Sequence, residues 1–507
     1  MKLKQLFSDC DIKVSEEAGI LDITGIAFDS RSVKPGNIFV ALAGNIVDGH
    51  DFISDAVKNG TSVVVGERPA VSMPAFGATA YYQVPNSRQL LSKIAANFYG
   101  NPAKKLTVIG VTGTDGKTST CNMISGLLRK AGFKTGLLTT INVDIDHTVV
   151  DTGVHVTTPD AVSVQSYLAQ MVAAGVQYAI IEATSHGLSQ HRVNDCEFDI
   201  GMITNVTHEH FDYHKDFNSY REAKSLLFRL LNRESGKDFQ KYAILNADDP
   251  SYDFFKDQAC VVSYSYGIKN SADFFASNIV CVDDHYLFTV NMPGGKKIEI
   301  KSKLMGIHNV YNALAAIAVT YLQNIPTQSI KDYFLNPDIL PGRFEEIVSG
   351  QPFRVFVDYA HTENALQNVL DLANQIKKGR LILVFGLSGG LRDKSKRPGL
   401  GRIAELNSDL AIITAVDWYP SEPVTEIIDQ IAEGCIAAGG EEKRTFVKIP
   451  DREQAIAYAI QTAKSGDVVV IAGKGHETSL SINGVEYPWN EVEVTKSKIR
   501  KFAQNDQ

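Results

Sequence analysis

Residues 108–128 combine the residue types and spacing that hold a nucleoside triphosphate. An apolar, β-branched run at 108–112 leads into a glycine turn at 113–116, and a helix is predicted from Lys117. The N–H groups of such a turn, and the N-terminus of the helix, point at phosphate oxygens. Lys117 would neutralise the β and γ oxygens, and the hydroxyl of Thr118 would ligate Mg²⁺.

This phosphate-loop motif is incomplete, so a plainer interpretation stays open. Val111 stands where the general motif has its first glycine. A glycine turn before an ordinary helix would carry the same residues without binding phosphate. The predicted strand before the turn, and an apolar helix face that includes Ile124 and Leu127, favour the phosphate site.

Two further side chains at predicted strand ends could complete a metal site. The strand at 176–182 ends in Glu182, and the strand at 200–205 runs into a histidine-rich loop that contains His210. A carboxylate, an imidazole and a hydroxyl beside a triphosphate can hold Mg²⁺. His210 could equally be a capping or core histidine. Lys224, on the next predicted helix, is by itself typical of a surface lysine.

Composition excludes several classes of function. With 507 residues the chain should form about three domains. The net charge of −8 argues against nucleic acid as a partner. No run of 18 apolar residues and no signal-peptide core are present, so we expect a cytoplasmic protein without a membrane span. The six cysteines are scattered, which favours reduced thiols over disulfides or a zinc site.

The order of apolar runs and turns predicts an α/β protein of three domains. A small α/β domain is expected over 1–100, and the Asp29-Ser30-Arg31 turn within it could be a simple capped turn. A hinge at 101–105 precedes a mainly parallel sheet in a domain spanning 101–340, with β-hairpins over 262–300. A second alternation, with glycine-rich loops at its strand ends, predicts a Rossmann-like domain over 341–507.

A series of short motifs then identifies a family. The motifs are Asp29-Ser30-Arg31, Pro35-Gly36, Asp48-Gly49-His50, Gly113–Thr118, Thr157–Asp160, Glu182, Ser185-His186, Gln190–Val193, Asn205, His210, Asp212–His214, Tyr220, Ala223-Lys224, Asn246–Asp249, Gly306, His308-Asn309, Asn312, Pro341–Glu345, Asp358–His361, Arg392-Asp393, Lys396–Pro398 and Gly473–Glu477. In this order and near this spacing they resemble the Mur ligases, most closely the MurE type, UDP-N-acetylmuramoyl-tripeptide synthetase. The resemblance covers the whole chain.

The resemblance implies a reaction as well as a fold. A UDP-substrate-binding N-terminal domain, a central ATP-binding domain and a C-terminal acceptor-binding domain would together form an amide bond in peptidoglycan synthesis. The third amino acid would be joined to UDP-N-acetylmuramoyl-L-alanyl-D-glutamate through an acyl phosphate, with ATP and Mg²⁺. Since phosphoryl transfer makes the carboxylate a usable acyl donor, the protein must chiefly position the partners and neutralise oxyanions. The family also implies a monomer.

The resemblance further implies roles for individual residues. The metal ligands would be Thr118, Glu182, His210 and Lys224, with Lys224 carried as a carbamate (N6-carboxylysine). Lys117, Glu182, His210 and Lys224 would be the catalytic residues. ATP would be contacted by Gly113, Thr114, Asp115, Gly116, Lys117, Thr118, Ser119, Asn246, Arg343 and Asp358. The UDP-muramoyl-dipeptide would be contacted by Ser30, Thr157, Thr158, Ser185 and Arg192.

The departures from the family fall at the acceptor site, for which the resemblance implies Arg392, Asp417, Tyr419, Gly473 and Glu477. In the family motif D-N-P-R an arginine pairs the distal carboxylate of meso-diaminopimelate. Here Asp417 falls at the asparagine position and Tyr419 at the arginine position, and the preceding loop at 386–392 is one residue longer. Because Asp417 would favour a cation, we expect L-lysine or L-ornithine as acceptor. A neutral amino acid packed on Trp418 is the alternative.

Two competing functions remain open. One is another amide ligase on the same scaffold, such as a folylpolyglutamate or cyanophycin-type synthetase, with a different acyl substrate. The N-terminal Asp29-Ser30-Arg31 motif and residues 157–159 argue against it. The other is a catalytically silent nucleotide-binding relative. Against it argues the presence of Lys117, Glu182, His210 and Lys224.

Overall fold

Three mainly parallel sheets follow one another along the chain in the computed structural model. The structure describes residues 1–44, 47–70, 79–150, 157–209, 211–390 and 393–505. Within these ranges no helix is long and apolar enough to cross a membrane. The α/β class and the three-sheet architecture agree with the sequence prediction.

The first sheet has four strands in the order β1-β2-β3-β4, all parallel. Every residue of β2 and β3 is buried, because elements cover both faces of such a sheet. The strands are β1 (Gly25–Ala27), β2 (Asn37–Val40), β3 (Val63–Gly66) and β4 (Ala80–Gln83). The helices are α1 (Leu3–Leu6), α2 (Glu16–Gly19), α3 (Ile53–Lys58) and α4 (Ser87–Phe98).

The middle sheet has eleven strands and carries the phosphate loop near its centre. Its strands are β5 (Thr107–Thr112), β6 (Thr135–Leu138), β7 (Val143–Ile145), β8 (Thr148–Val150), β9 (Tyr178–Glu182), β10 (Ile200–Ile203), β11 (Tyr242–Asn246), β12 (Val262–Gly267), β13 (Phe274–Val282), β14 (His285–Asn291) and β15 (Lys297–Ser302). Their order is β15-β14-β13-β12-β11-β10-β5-β9-β6-β7-β8. The seven neighbouring strands β13-β12-β11-β10-β5-β9-β6 are parallel. Strands β7 and β8 at one edge, and β14 and β15 at the other, are added in antiparallel pairs.

One element of this sheet differs from the prediction. The sequence predicts hairpins throughout 262–300, but β12 pairs in parallel with both β11 and β13. Only β13, β14 and β15 form hairpins, and Pro293–Gly295 is the predicted turn between the last two. The apolar and polar residues of β12 carry no local signal for the direction of its partners, since that direction is set by residues distant in the chain.

Helices cover both faces of the middle sheet. They are α5 (Lys117–Lys130), α6 (Ala161–Ala173), α7 (Ser185–Ser189), α8 (Phe211–His214), α9 (Phe217–Leu231), α10 (Tyr252–Gln258), α11 (Ile307–Leu322) and α12 (Thr327–Leu335). Helix α5 begins at Lys117 as predicted, and it buries Ile124, Leu127 and Leu128 in the same core as α11. Each such fully buried side chain contributes roughly 1.5–3 kcal/mol, so packing fixes the direction of α5 and of the loop that precedes it.

The C-terminal sheet has six strands in the order β16-β17-β21-β18-β19-β20, and all but β16 are parallel. Its strands are β16 (Glu345–Glu346), β17 (Arg354–Asp358), β18 (Leu381–Phe385), β19 (Leu410–Ile413), β20 (Phe446–Lys448) and β21 (Val468–Ala472), and a hairpin follows of β22 (Ser479–Ile482) and β23 (Val485–Pro488). The helices are α13 (Glu363–Ile376), α14 (Arg397–Asn407), α15 (Val424–Ala437), α16 (Arg452–Thr462) and α17 (Glu491–Asn505).

Candidate active site

The carboxyl ends of the central middle strands face a cavity of about 1240 Å³, which is lined by residues of both the middle and the C-terminal sheets. Strand β5 has β9 on one side and β10 on the other. Later strands of the chain thus lie on both sides of β5, so the strand order reverses there. Open α/β sheets bind their ligands at such a point. The predicted ATP residues in its wall are Thr114, Asp115, Gly116, Lys117, Thr118, Ser119, Asn246, Arg343 and Asp358.

The turn after β5 requires glycine. Gly113 has φ 142° and Gly116 has φ 82°, and a Cβ at Gly113 would lie only 1.9 Å from Oγ1 of Thr204. Asn205 then holds the turn, because its Oδ1 accepts a hydrogen bond from the N–H of Asp115 at 2.9 Å. The N–H groups of the turn and the N-terminus of α5 thus lie at the cavity wall, where they can bind an anion.

Thr118 and Glu182 bring two oxygen donors together beside this turn. The hydroxyl of Thr118 donates a hydrogen bond to Oε2 of Glu182 at 2.9 Å, although the two residues are 64 positions apart. Glu182 also accepts from the N–H of Thr140 at 3.1 Å, and it is 2% exposed. Carboxylate and hydroxyl oxygens next to phosphate are the ligands that Mg²⁺ prefers. The donor set therefore fits Mg²⁺.

Lys117 and Lys224 place two amines near the same turn. The ammonium of Lys117 donates to the carbonyl oxygen of Thr114 at 2.8 Å. Lys224, from α9, is 1% exposed and donates to the carbonyl oxygen of Gly113 at 2.6 Å. Burial, and next to it the charge of Lys117, hold the pKa of Lys224 well below its usual value. Lys224 is thus a buried amine rather than the surface lysine that its sequence alone indicates.

The linker to the C-terminal sheet reaches the cavity through Arg343 and Asp358. Asp358 accepts hydrogen bonds from the N–H groups of Phe344 at 2.6 Å and Ala360 at 2.7 Å. Burial raises the pKa of Asp358, and the charge of Arg343 opposes that rise. Arg343 lies 4.8 Å from the centre of the Tyr359 ring and donates to Oγ1 of Thr118 at 3.3 Å. The C-terminal part therefore touches the hydroxyl that would hold the metal.

Asp115 makes a second direct link between the two sheets. Its carboxylate accepts hydrogen bonds from the hydroxyl of Thr362 at 3.0 Å and from the side-chain amide of Asn364 at 2.8 Å. Thr362 is the N-cap of α13, and both residues line the cavity. Sequence reasoning did not single out Thr362 or Asn364. Their position at the carboxyl end of β17, before a helix, is the signal that could have found them.

Three of the histidines at the cavity have pKa values well below physiological pH, which favours their neutral forms. Burial lowers the pKa of His308 to about 4. Burial likewise lowers the pKa values of His361 and His476 to about 3. These side chains can exchange hydrogen bonds with a ligand without adding positive charge.

The residues predicted to contact the UDP substrate lie in three places. Thr157, Thr158 and Arg192 line the cavity, and Arg192 donates to the carbonyl oxygen of Thr158 at 2.6 Å. Ser185 is buried at the start of α7. Ser30 belongs to a short 3₁₀ turn beside the N-terminal sheet, and the described wall of the cavity does not include it.

The predicted acceptor residues form a charged cluster at the carboxyl ends of β19 and β21. Lys474, which is 1% exposed, pairs with Asp417 at 3.0 Å and with Glu477 at 2.5 Å. Asp417 also accepts from the N–H of Ser481 at 2.8 Å. One ammonium faces two carboxylates in this cluster, so Lys474 offsets only part of their charge. That Asp417, although paired with Lys474, favours a cationic acceptor stays a prediction. That pairing spans 57 positions and has no local sequence signal.

Of the remaining predicted site residues, the structure describes Gly473 and Tyr419 but not His210 and Arg392. Gly473 has φ 115° in the loop after β21, and Tyr419 is 37% exposed and packs on Gly390, where a Cβ would lie 2.8 Å from its ring. His210 and Arg392 lie outside the described residues, so their roles rest on the sequence alone. Sequence reasoning also overlooked Thr140, whose position just after β6 marks it as another strand-end residue.

Three protein-family models match successive parts of the chain. A model described as "Mur ligase family, catalytic domain" matches residues 22–99, "Mur ligase middle domain" matches 111–320, and "Mur ligase, glutamate ligase domain" matches 342–475. The three matches follow the three sheets in order.

Curated relatives and solved structures agree with these matches. A UDP-N-acetylmuramoyl-L-alanyl-D-glutamate–2,6-diaminopimelate ligase of Geobacillus thermodenitrificans is 38% identical over 505 residues, covering 99% of this chain and 100% of the relative. A UDP-N-acetylmuramyl-tripeptide synthetase of Roseiflexus is 39% identical over 494 residues, covering 95% of each chain. A solved structure of a UDP-N-acetylmuramoyl-L-alanyl-D-glutamate–2,6-diaminopimelate ligase is 28% identical, covers 100% of both chains and has a TM-score of 0.67.

Proposed function

Since the chain belongs to the Mur ligase family of ATP-dependent ligases, we propose that it joins a third amino acid to UDP-N-acetylmuramoyl-L-alanyl-D-glutamate in peptidoglycan synthesis. One observation carries the proposal. The phosphate loop, which ends where α5 begins at Lys117, lies beside the Thr118–Glu182 pair and the buried amine of Lys224. Names of relatives that are 38–39% identical over 95–99% of this chain support the acyl substrate.

The reaction is written as two displacements. A carboxylate oxygen of the dipeptide attacks the γ-phosphorus of ATP, the bond to the β–γ bridging oxygen breaks, and ADP leaves. The amine of the acceptor then attacks the acyl carbon, loses a proton to solvent, and expels inorganic phosphate from a tetrahedral intermediate. Lys117 and the N-terminus of α5 hold the phosphates through both steps. Arg192, which lines the cavity, is suited to a substrate carboxylate.

Two groups that the family implies fit the residues present. Thr118 and Glu182, with His210 on the sequence resemblance, would hold Mg²⁺, which when bound neutralises the charge that builds on the phosphate oxygens. Lys224 fits a carbamate, because only a neutral amine adds CO₂ and burial favours the neutral form of this one. The carbamate would replace a buried amine by an anionic oxygen ligand.

The other predicted roles stay proposals. Gly113 to Ser119, Asn246, Arg343 and Asp358 would hold ATP, and Ser30, Thr157, Thr158, Ser185 and Arg192 would hold the UDP substrate. Domain boundaries at 100/101 and 340/341 are proposed between the sheets, and a monomer is proposed on the family resemblance.

For the acceptor we propose an amino acid without a distal carboxylate, bound near Arg392, Asp417, Tyr419, Gly473 and Glu477. Tyrosine at position 419 offers no charge to such a carboxylate. L-lysine and L-ornithine are the candidates that we favour, because Asp417 and Glu477 share the single ammonium of Lys474. A neutral side chain packed on Trp418 is the alternative. Meso-diaminopimelate is the competing acceptor, since it is named in the relatives.

ADP release tests this function. The purified protein, with ATP, Mg²⁺ and UDP-N-acetylmuramoyl-L-alanyl-D-glutamate, is given a panel of amino acids that includes meso-diaminopimelate, L-lysine, L-ornithine and neutral residues. We expect release that needs both the UDP-dipeptide and one or two of the amino acids. Absence of release with every amino acid, while ATP still binds, would point to another acyl substrate or to a silent relative. Turnover with meso-diaminopimelate alone would overturn the acceptor proposal.

A further inference from the structure

Asp393 and the motif Lys396-Arg397-Pro398 have no assigned role in the proposed reaction. Among the described residues, Lys396 makes the most deeply buried ion pair between the middle and C-terminal parts of the chain. The ammonium of Lys396 lies 2.8 Å from Oε1 and 3.1 Å from Oε2 of Glu209. The side chains of Lys396 and Glu209 are 9% and 7% exposed. Glu209 directly precedes His210, for which the resemblance implies a metal ligand.

A second contact joins the same two loops. Nε2 of His208 lies 3.5 Å from the carboxylate of Asp393 and 3.4 Å from the hydroxyl of Ser395. Ser395 in turn donates to Asp393 at 2.6 Å. Residues 208–209 and 393–396 therefore form one small interdomain contact, in which the Lys396–Glu209 pair is more buried than His208.

The neighbouring arginine anchors Lys396 within its own domain. Arg397 is fully buried, and it donates to the carboxylate of Glu422 at 2.8 Å. Glu422 also accepts from the N–H of Gly390 at 2.9 Å and pairs with Lys394 at 2.6 Å. The loop that carries Lys396 is thus tied to Glu422, so that Lys396 projects from a fixed base toward the middle domain.

From this geometry we propose that Lys396 and Glu209 are a positioning pair that holds the C-terminal domain closed on the loop leading to His210; the catalytic consequence rests on the proposed ligase function. In an open molecule water solvates both charges. Closure removes that water, which is tolerable only when the two charges meet. A domain docked in a different register would bury one charge without its partner, so the pair selects one closed arrangement.

The test removes the partners singly and together. Lys396→Met keeps the length of the side chain and removes its charge, Glu209→Gln keeps its shape, and the double variant removes the pair. Arg354→Met is the matched control, because Arg354 also makes an interdomain contact, with Asp284 at 3.5 Å, but an exposed one away from the cavity. Lys396→Gln serves as a second variant if Lys396→Met is unstable.

The first measurement is the radius of gyration in solution, with a non-hydrolysable ATP analogue and the UDP-dipeptide bound. We expect wild type and Arg354→Met to share the smaller radius, and Lys396→Met to keep a larger one. The double variant should close more completely than Lys396→Met, since no unpaired charge is then buried. A Lys396→Met protein as small as the wild type would overturn the proposal. This measurement needs no turnover, so it stands apart from a failure of the proposed ligase function.

The second measurement is turnover. Lys396→Met should lower kcat by about tenfold or more, as expected when one member of a buried pair is lost, while the KM for ATP stays near the wild-type value. The double-variant cycle should show a coupling of about tenfold between the two positions. Independent effects that simply multiply would overturn the pairing, and a general structural defect would instead raise every KM.

Discussion

The side-chain nitrogen of Lys224 lies 2.6 Å from the carbonyl oxygen of Gly113, in the turn that leads from β5 into α5. Lys224 is 1% exposed, and its nitrogen lies 4.1 Å from the centre of the Tyr220 ring. Burial therefore favours its neutral form, and the pKa of Lys224 lies well below the usual value. A neutral amine beside a phosphate loop is poised to add CO₂ and become an anionic ligand.

Replacing Lys224 by alanine should abolish most ligase activity, because the oxygen ligand that a carbamate supplies is lost. Formate or acetate should restore part of the activity of Lys224→Ala by filling the space with a carboxylate. Lys224→Arg, which keeps a cation but forms no such ligand, should be inactive and should not respond. The measurement is ADP release against carboxylate concentration; equal response of both variants would contradict the carbamate role.

Lys224 should also lower the stability of the protein in CO₂-free buffer. Its pKa is lower in the folded state than in the unfolded state, so between the two values the unfolded chain binds more protons and stability rises with pH. Lys224→Met should therefore be more stable than wild type near pH 7, because it removes the cost of burying or deprotonating the amine. The gain should shrink toward pH 10. Urea midpoints measured from pH 6.5 to 10 check the sign, and a gain that grows with pH would contradict it.

Glu182→Gln should lower kcat/KM by about 100-fold, because the substitution keeps the shape but removes the negative charge beside Thr118. The loss should be partly offset at high Mg²⁺ concentration. Glu197→Gln is the control. Glu197 lies just before the amino end of β10, at the opposite end of the strands from Glu182, and it contacts Lys104. ADP release at increasing Mg²⁺ measures both variants. Similar losses in the two variants would indicate a structural effect.

Tyr419→Arg should move acceptor preference toward meso-diaminopimelate. Tyr419 is 37% exposed at the loop after β19, so an arginine fits there and can pair a distal carboxylate. We expect the ratio of kcat/KM for meso-diaminopimelate to that for the native acceptor to rise about tenfold or more, the worth of one charge-assisted hydrogen bond. Tyr419→Phe should leave that ratio unchanged. An unchanged ratio in Tyr419→Arg would place the distal end of the acceptor elsewhere.

Local sequence was enough to predict much of the architecture. The turn at 113–116 and the start of α5 at Lys117 are as expected, because β-branched residues, paired glycines and an apolar helix face act over a few positions. Strands β5 and β9 likewise end at Thr112 and Glu182, as predicted. Glu182 lies beside Thr118 because both follow parallel strands of one sheet, and parallel strands end at a common edge.

Long-range pairings could not be predicted in this way. Lys474 pairs with Asp417 across 57 positions, and Lys396 pairs with Glu209 across 187. A lysine in a surface loop and one buried against a carboxylate look alike in sequence, since burial depends on how domains dock. The same reason explains β12, whose parallel partners come from distant segments.

Transfer of ¹⁸O tests the central claim, that a carboxylate is activated by phosphorylation, most directly. The UDP-dipeptide is labelled with ¹⁸O in both free carboxylates of its glutamate and turned over with ATP, Mg²⁺ and the active amino acid. An acyl phosphate formed through one of these carboxylates passes one labelled oxygen to the departing phosphate, so we expect one ¹⁸O in each inorganic phosphate by mass spectrometry. Amide product accompanied by unlabelled phosphate would contradict the account.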